Sequence, residues 1–372
     1  MYQGLLNSMK ILFVGGGTGG SVTPLIAIAQ NLKNELSDVQ FIWFGTIKGP
    51  EKKLVMAEDI LFYQILSGKL RRYFSFRNFL DFFLIFFGFI QSLLLLIKIK
   101  PDIIVSAGSY VAVPVGIAAW ILRLPQLIHQ QDLQPGLVNK ILNYFAQRIS
   151  ISFPEEAIYF NSTKTVYTGN PVRKSIFEGN RDKAKELLGL EANLPVVLVV
   201  GGGTGALHLN QLIIGALPEL LTFCQIIHIT GKNKKFSPLA IKDMSSRYHQ
   251  FDFLVNEIPD ILALADLVVT RAGMGFLTEL SALGKACIII PLPASQQELN
   301  ASYFCEKKAA FCLEQNILSS QSLVQDLKDL LADQSSLNFL SNNIQKLFQP
   351  DATKMLTEEI LKLIHEHRSK KI

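Results

Sequence analysis

Short apolar runs alternate with stretches of helical periodicity along most of the chain. In the first half, the runs that predict strands are Lys10–Val14, Gln40–Phe44, Ile103–Val105, Gln126–His129, Arg148–Ile151 and Thr165–Tyr167. In the second half they are Val196–Val200, Gln225–Ile229, Phe251–Leu254, Leu267–Thr270 and Ala286–Ile290. Continuous Val, Ile and Leu runs that are each followed by a helix are typical of parallel strands buried on both faces. The pattern therefore predicts an α/β fold with two Rossmann-like, doubly wound domains.

The series of strands restarts near residue 168, beside the turn signal Gly169-Asn170-Pro171. We therefore predict an N-terminal domain over residues 9–167 and a C-terminal domain over residues 168–349. A last helix, Ala352–His365, follows Pro350 and is a candidate to pack back on the first domain. Because ligands of such sheets bind beyond the carboxyl ends of the strands, two facing domains predict a binding cleft between them.

One segment, Phe82–Ile97, is almost uninterrupted in its apolar character and is shorter than the roughly 20 residues that a spanning helix needs. The basic residues that flank it are Lys69, Arg71, Arg72, Arg77, Lys98 and Lys100. A buried core helix, an interfacial helix with a basic rim and a true span are all open on this pattern. The strand-like run that follows continues the α/β series, which argues against a span.

Composition limits the class of protein, its partners and its redox compartment. Apolar residues make up 49% of the 372 residues and charged residues 18%, so the chain can build full globular cores. A net charge of +5 fits ordinary solubility or a weak attraction to anionic lipid and phosphates, and we expect no nucleic-acid partner. Cys224, Cys287, Cys305 and Cys312 show no metal-like spacing, so we expect no metal and four buried thiols in a reducing compartment. The start, Met1–Ser8, has no signal-peptide pattern.

Two glycine-rich loops occupy the same place in the two strand series. Gly15–Gly20 follows the first strand of the first series, and Gly201–Ala206 follows the first strand of the second. Glycines permit a tight turn and let backbone N–H groups approach a phosphate or sugar at a helix N-terminus. A single loop of this kind can be only a structural turn, but two at matching positions suggest two binding surfaces. Neither is a dinucleotide fingerprint, because Phe44-Gly45-Thr46 puts no acid at the end of the second strand.

A third group follows the strand Leu267–Thr270, where Arg271–Glu279 opens a helix. The N–H groups and the positive dipole end of that helix can bind a pyrophosphate. Glu279 is placed to accept hydrogen bonds from ribose hydroxyls, or else is a surface carboxylate that interacts with the helix dipole. The amides of Gln297 and Asn300 can bind sugar hydroxyls without adding charge.

The motifs GGGTGG, GSY, HQQD, GNPVR, GGGTGA, TRAG…TE and QQELNA occur in this order from about Lys10 to Ala301. This series is similar to that of the UDP-N-acetylglucosamine:lipid I N-acetylglucosaminyltransferases, the MurG-type enzymes of glycosyltransferase family 28. The resemblance implies a GT-B architecture that needs no cofactor or metal. It also implies that the first domain binds the acceptor and the membrane and that the second domain binds the UDP-sugar donor.

The resemblance also implies a set of binding residues. Thr18, Gly19 and Gly20 match the loop that lies against the acceptor phosphates and the donor sugar. Val255 matches the residue whose backbone recognises uracil, and Gln297 matches a glutamine that binds the hydroxyls of N-acetylglucosamine. The remaining matches to donor-binding positions are Arg173, Gly203, Met274, Gly275, Phe276, Leu277, Thr278 and Glu279.

Several positions depart from the family's pattern around the general base. The first loop commonly continues with a histidine, often proposed as the base, and here Ser21 stands there. The motif HEQN is here His129-Gln130-Gln131-Asp132, so its glutamate is Gln130 and its asparagine is Asp132. We therefore predict Asp132 as the base or as a contact to the donor sugar, with Ser21 orienting the acceptor and His129 as a further candidate. Two of these residues also have a structural alternative. Asp132 can be a turn residue before Pro135, and His129 can be a core histidine.

The predicted function is transfer of N-acetylglucosamine from UDP-GlcNAc to the muramyl C4 hydroxyl of lipid I (undecaprenyl-pyrophosphoryl-muramyl-pentapeptide), which forms lipid II in peptidoglycan synthesis. The alternatives are another family-28 lipid glycosyltransferase and a non-catalytic UDP-sugar-binding protein. A UDP-GlcNAc 2-epimerase shares the architecture but would not need the apolar segment with its basic flanks. The predicted partners are UDP-GlcNAc, the lipid acceptor and an anionic membrane surface. The predicted location is the cytoplasmic face of the bacterial inner membrane, as a peripheral protein.

Overall fold

A computed structural model describes residues 9–17, 19–47, 49, 51–68, 76–202, 205–232, 234 and 246–370, with no side chains described for residues 76–80. The chain divides into two compact units. The first comprises Met1–Arg173 together with Gln349–Ile372, and the second comprises Lys174–Phe348.

The first unit contains a sheet with the strand order β3-β2-β1-β4-β5-β6-β7, in which every pair is parallel. Its strands are β1 (Met9–Val14), β2 (Val39–Gly45), β3 (Leu61–Gln64), β4 (Ile103–Ser106), β5 (Gln126–Gln130), β6 (Arg148–Ile151) and β7 (Thr165–Tyr167). The central strands β4 and β5 are buried along their whole length, as continuous apolar runs require.

The second unit contains a parallel sheet with the order β10-β9-β8-β11-β12-β13. Its strands are β8 (Val196–Val200), β9 (Gln225–Ile229), β10 (Tyr248–Phe251), β11 (Leu267–Thr270), β12 (Cys287–Ile289) and β13 (Phe311–Cys312). The predicted fold class, two parallel doubly wound α/β domains, is therefore confirmed.

Helices connect the strands of both units. In the first unit they are α1 (Thr23–Glu35), α2 (Glu51–Met56), α3 (Phe76–Ile99), α4 (Ala112–Ile121), α5 (Leu137–Leu142) and, near the end of the chain, α13 (Ala352–Ser369). In the second they are α6 (Arg181–Leu188), α7 (Leu207–Leu220), α8 (Ile258–Leu264), α9 (Met274–Leu283), α10 (Gln297–Glu306), α11 (Ser320–Ala332) and α12 (Gln334–Gln345). Two 3₁₀ helices, Pro154–Tyr159 and Lys174–Glu178, complete the described elements.

The edge strands differ from the sequence prediction. The run Phe251–Leu254 was expected as a strand, but β10 lies earlier, at Tyr248–Phe251. Strands β3 and β13 were not predicted at all. All three strands lie at or next to a sheet edge and are only partly buried. They therefore lack the continuous apolar run that marks a strand covered on both faces.

Helix α3 contains the apolar segment and has one buried and one exposed face. Leu96 and Ile99 lie in the hydrophobic core beneath the helix. The Gln91 side chain accepts a hydrogen bond from the Leu66 N–H at 2.9 Å and donates one to the Gln64 carbonyl at 2.8 Å. These bonds fix the helix to the end of β3. By length and composition alone Asp81–Ile99 could cross a membrane, yet 22% of this window is buried inside the protein.

Helix α13 belongs to the first unit and packs against α1. Leu356 and Ile360 of α13 are fully buried. Arg148, at the start of β6, forms ion pairs with two carboxylates of α13, and Arg368 of α13 pairs with Asp102 at 2.8 Å. These contacts bring the end of the chain back beneath the first sheet.

The expectation of four thiols is wrong for two of the cysteines. Cys305, at the end of α10, and Cys312, in β13, form a disulfide with their Cα atoms 6.2 Å apart. Cys224 and Cys287 are free and buried, as expected. The two cysteines come together because the chain turns between α10 and β13. Their spacing in the sequence does not reveal this turn.

Candidate functional site

Each sheet has a point where the strand order reverses direction, between β1 and β4 in the first unit and between β8 and β11 in the second. Ligands of open α/β sheets bind at such points, beyond the carboxyl ends of the strands. The two predicted glycine loops follow β1 and β8, and the predicted pyrophosphate turn follows β11. All three motifs therefore lie where this fold places its ligands.

The loop after β1 is fixed by hydrogen bonds that its own Ser21 and Ser109 form. Ser21 is buried, and its Oγ accepts a hydrogen bond from the Gly16 N–H at 3.2 Å and lies 3.3 Å from the Gly16 carbonyl oxygen. Ser109, from the loop after β4, donates to the same carbonyl at 2.9 Å. Gly19 accepts hydrogen bonds from the first turn of α1. Ser21 therefore shapes the loop, and Thr18, the residue before Gly19, lies outside the described residues.

A buried carboxylate that the sequence analysis did not single out supports this loop from below. Glu51, the first residue of α2, has no exposed surface. One of its carboxylate oxygens accepts a hydrogen bond from the Gly17 N–H at 3.1 Å, and the other binds the N–H and hydroxyl of Thr46. Gly17 has φ +83°, and a Cβ there would lie 2.8 Å from a ring carbon of Tyr110. The conformation and the contact both require glycine at this position.

His129 lies at the carboxyl end of β5 and is fully buried. Its Nδ1 is 2.8 Å from the Ser150 hydroxyl and its Nε2 is 2.9 Å from Oδ1 of Asn170. Burial lowers the pKa of His129 to about 4, against a smaller opposing effect of the bond to Asn170. Both ring nitrogens already have partners, so the geometry favours a structural role for this residue, and its catalytic role stays a prediction.

Asp132 lies two residues beyond β5, in a half-buried loop. The Gln130 side chain donates a hydrogen bond to the Asp132 carbonyl at 2.5 Å, and Asn139 donates to Oε1 of Gln130 at 2.7 Å. Gln130, which replaces the family's glutamate, is thus a link in an amide network that fixes this loop. His129 and Asp132 belong to one cluster, whereas the described contacts of Ser21 lie in the glycine-loop cluster.

A second unpredicted acid, Glu156, lies in the 3₁₀ helix after β6 and has no exposed surface. Burial, with a smaller effect of Asp132, raises the pKa of Glu156 to about 9. The sequence gives one signal for it, because Glu155 and Glu156 follow a predicted strand at the carboxyl end where sites gather. The burial that distinguishes the two appears only in the folded protein.

In the second unit, the loop after β8 has a backbone that favours glycine. Gly202 has φ +88° and Gly205 has φ +70°. A Cβ on Gly205 would lie 2.2 Å from the Thr230 carbonyl oxygen, so this position accepts no side chain. Lys234 donates a hydrogen bond to the Gly205 carbonyl at 3.1 Å. Gly203, a predicted donor contact, lies outside the described residues.

Helix α9 opens directly beyond β11, and among the described residues no side chain caps its N-terminus. Apart from its two chain neighbours, no described residue has an atom within 4 Å of where a Cβ on the N-cap residue, Gly273, would lie. Met274 and Glu279 are buried, and the Thr278 hydroxyl donates to the Met274 carbonyl at 2.8 Å. Gly275, Phe276 and Leu277 lie in the same first turns of the helix.

Arg271 and Asn300 hold the surroundings of α9 in place. Arg271 is buried and donates hydrogen bonds to the carbonyls of Ile290 and Pro291 at 2.9 and 3.0 Å. Asn300 of α10 donates to the Ala272 carbonyl at 3.0 Å. These bonds join the ends of β11 and β12 to α10, so Arg271 and Asn300 both stabilise this part of the second unit.

The structure also gives contacts or positions for three further residues that were predicted to bind the donor. Gln297 is the first residue of α10, and its Oε1 accepts a hydrogen bond from the Leu292 N–H at 3.1 Å. The Val255 N–H donates to a carboxylate oxygen of Glu257 at 3.3 Å. Arg173 is the last residue of the first unit. Among the residues that the structure describes, no group of His, Cys, Asp and Glu could hold a metal ion.

Comparison with known proteins adds to this geometry. The family model described as the glycosyltransferase family 28 N-terminal domain matches residues 11–151, and that of the family's C-terminal domain matches residues 196–356. The chain is 40% identical over 333 residues, 88% of its length and 93% of the relative's, to UDP-N-acetylglucosamine--N-acetylmuramyl-(pentapeptide) pyrophosphoryl-undecaprenol N-acetylglucosamine transferase 3 of Bacillus thuringiensis (strain Al Hakam).

A protein of Legionella pneumophila (strain Lens) named as the same transferase is 38% identical over 363 residues, which cover 96% of this chain and 98% of that protein. Among solved structures, that of Acinetobacter baumannii MurG is similar, with a TM-score of 0.68 and 25% identity. The match covers 95% of this chain and 99% of that one.

Proposed function

Because the chain belongs to the UDP-N-acetylglucosamine–N-acetylmuramyl-(pentapeptide) pyrophosphoryl-undecaprenol N-acetylglucosamine transferases of glycosyltransferase family 28, we propose that it makes the disaccharide of lipid II. The donor is UDP-GlcNAc, and the acceptor is the C4 hydroxyl of the muramyl sugar of lipid I. The observation that carries the proposal is the uncapped N-terminus of α9 at the switch point of the second sheet.

An uncapped helix N-terminus suits the donor's pyrophosphate. The first N–H groups of a helix lack partners within it, and the helix dipole favours negative charge there. As the bond between the sugar C1 and the pyrophosphate oxygen breaks, the electron pair leaves with UDP and negative charge grows on that oxygen. Helix α9 would stabilise this charge, and Arg173 would add a positive charge if it reaches the donor.

The acceptor hydroxyl must lose its proton as its oxygen bonds to C1 of N-acetylglucosamine. We assign the proton to the carboxylate of Asp132, which is half-buried on a loop fixed by the Gln130 and Asn139 amides. His129 is less suited, since both of its ring nitrogens have partners and its ring is fully buried. Ser21 would then act only through the shape of the glycine loop.

We further propose that the exposed face of α3 holds the enzyme on an anionic lipid surface, at the cytoplasmic face where UDP-GlcNAc is available. Its exposed apolar side chains are Phe82, Phe83, Leu84, Phe86, Phe87, Ile90, Leu94 and Ile97. Because the opposite face of α3 packs on the protein core, lipid cannot surround the helix, and an interfacial position fits better than a span. Large exposed apolar patches of this kind mark interaction sites.

A donor and acceptor selectivity assay tests the reaction. UDP release is measured with UDP-GlcNAc or UDP-glucose as donor and with lipid I or diacylglycerol as acceptor. We expect release only when UDP-GlcNAc and lipid I are both present. Release with diacylglycerol alone would make the chain a different lipid glycosyltransferase, and UDP-GlcNAc binding without any turnover would make it a binding protein.

A further inference from the structure

Glu156 is a buried residue just beyond the carboxyl end of β6 in the first sheet. It has no exposed surface, and one carboxyl oxygen, Oε2, accepts a hydrogen bond from the Ser152 N–H at 3.1 Å. The other, Oε1, is buried and has no hydrogen-bond partner among the described residues. A buried charge without compensating bonds is costly, so this site disfavours a carboxylate.

Among the described residues, the charged groups that act on Glu156 are acidic. Asp132, from the loop after β5, and Glu155, its chain neighbour, both act on it electrostatically and both disfavour its ionisation. Burial raises the pKa of the Tyr167 phenol of β7, and Glu155 and Glu156 raise that pKa further. The Ser152 hydroxyl joins the group to β5, since it donates to the Gln130 carbonyl at 2.8 Å and lies 3.5 Å from Nε2 of His129.

We propose that Glu156 is a positioning residue for the transfer reaction, which acts as a neutral carboxyl and leaves Asp132 as the anion at this end of the sheet. The inference rests on the proposed function, because it acts through the proposed base. The raised pKa of about 9 agrees with this geometry. Like charges in one poorly solvated site are each disfavoured, so a neutral Glu156 keeps Asp132 able to exist as a carboxylate at neutral pH.

Ionisation of Glu156 at high pH would place a second negative charge beside Asp132. The acceptor carries a pyrophosphate, so an added anion at this end of the sheet would oppose its binding. We therefore expect kcat/KM for the acceptor to fall as the pH rises through about 9.

The test compares pH profiles of kcat/KM for lipid I in the wild type, Glu156→Gln and Glu155→Gln. Glutamine cannot ionise, so we expect Glu156→Gln to keep neutral-pH activity within about threefold and to lose the alkaline fall. Glu155 is exposed and carries the same chemistry one residue away. Glu155→Gln should therefore keep the alkaline fall, at a slightly lower pH because one acidic neighbour of Glu156 is removed. Any ionisation of the donor's uracil is common to all three proteins and cancels in the comparison.

An alkaline fall that persists unchanged in Glu156→Gln, or its absence from the wild type, would overturn the inference. So would a loss of more than about 100-fold at neutral pH in the folded Gln variant, because an ionised Glu156 would then be needed. Should that variant not fold, Glu156→Met offers a neutral side chain of similar length for the same profile. A wild type with no turnover at any pH would instead remove the proposed function itself.

Discussion

Asp132 and His129 lie three residues apart, yet they differ in burial and in how far their polar atoms are enclosed. The imidazole of His129 is enclosed and bonded at both nitrogens, whereas Asp132 lies in a half-buried loop. Two ionisable residues that lie close in the chain can thus differ in whether they can meet a substrate. The sequence placed both near the carboxyl end of a strand, but only the contacts separate the structural residue from the candidate base.

Substitution of Asp132 by asparagine tests its role. The variant keeps the shape and restores the amide usual in the family, but it removes the proton acceptor. If Asp132 is the base, kcat should fall by about 10²–10⁴-fold while calorimetry shows unchanged affinity for UDP-GlcNAc. Full activity would show that this carboxylate does not take the proton, and weaker donor binding would make it a sugar contact instead.

His129 should make stability depend on pH. Its folded pKa of about 4 lies below the ordinary value of 6.5, so its contribution is complete above about pH 6.5 and is lost as the pH falls through 4. The full loss amounts to about 3 kcal/mol. Glu156 acts in the opposite direction, since its raised pKa stabilises the fold below its ordinary value and this is lost as the pH rises towards 9.

Chemical denaturation between pH 4 and 7.5 separates the two residues when the wild type is compared with His129→Gln. Glu156 is present in both proteins, so the difference isolates the histidine. The variant should lose less stability on acidification than the wild type does. His365→Gln, at an exposed position of α13, should leave the slope unchanged. Parallel slopes in the wild type and His129→Gln would show that His129 does not titrate as its burial indicates.

At the scale of elements, the predicted strands with continuous apolar runs are all present, because burial on both faces produces that pattern. The edge strands β3 and β13 were not predicted and β10 was predicted a few residues too late, because these strands are only partly buried and lack a continuous apolar run. The two glycine loops could be recognised in the sequence because their backbone angles favour glycine, and their binding of ligands stays a prediction. Glu51 and Glu156 were missed because burial of one acid among many depends on contacts between distant segments.

Helix α9 carries the prediction for the donor. If Glu279 accepts hydrogen bonds from the ribose, Glu279→Gln should weaken UDP-GlcNAc binding by about 1–3 kcal/mol in calorimetry. Glutamine nearly preserves the volume of this buried side chain, so folding should survive. Glu298→Gln, at an exposed position in the first turn of α10, is the matched control. Equal affinities in the two variants would remove Glu279 from the donor site.

At the scale of the whole molecule, α3 provides the proposed contact with lipid. Phe82 and Leu94 are each 64% exposed on it. Replacement of either residue by serine should weaken binding to anionic vesicles by roughly tenfold, or about 1.5 kcal/mol, in a sedimentation assay. Binding should also weaken with salt, because the basic flanks contribute. Phe339→Ser, at a 52% exposed position of α12, should bind like the wild type.

Equal binding of the wild type to neutral and anionic vesicles would contradict the contribution of the basic flanks. Unchanged binding of the α3 variants would contradict the assignment of this helix to the membrane surface. Either result would leave the chemistry of the two sheets untouched, because the reaction is proposed from their carboxyl ends.

We propose above all that this protein makes lipid II, so identification of the lipid product is the most direct test. Purified protein is incubated with UDP-GlcNAc and lipid I, and the lipid fraction is analysed by mass spectrometry and by linkage analysis. We predict a lipid that is heavier by one N-acetylhexosamine residue, linked to C4 of the muramyl sugar, with one UDP released per lipid. Unmodified lipid I, or a sugar attached elsewhere, in the presence of folded protein would contradict it.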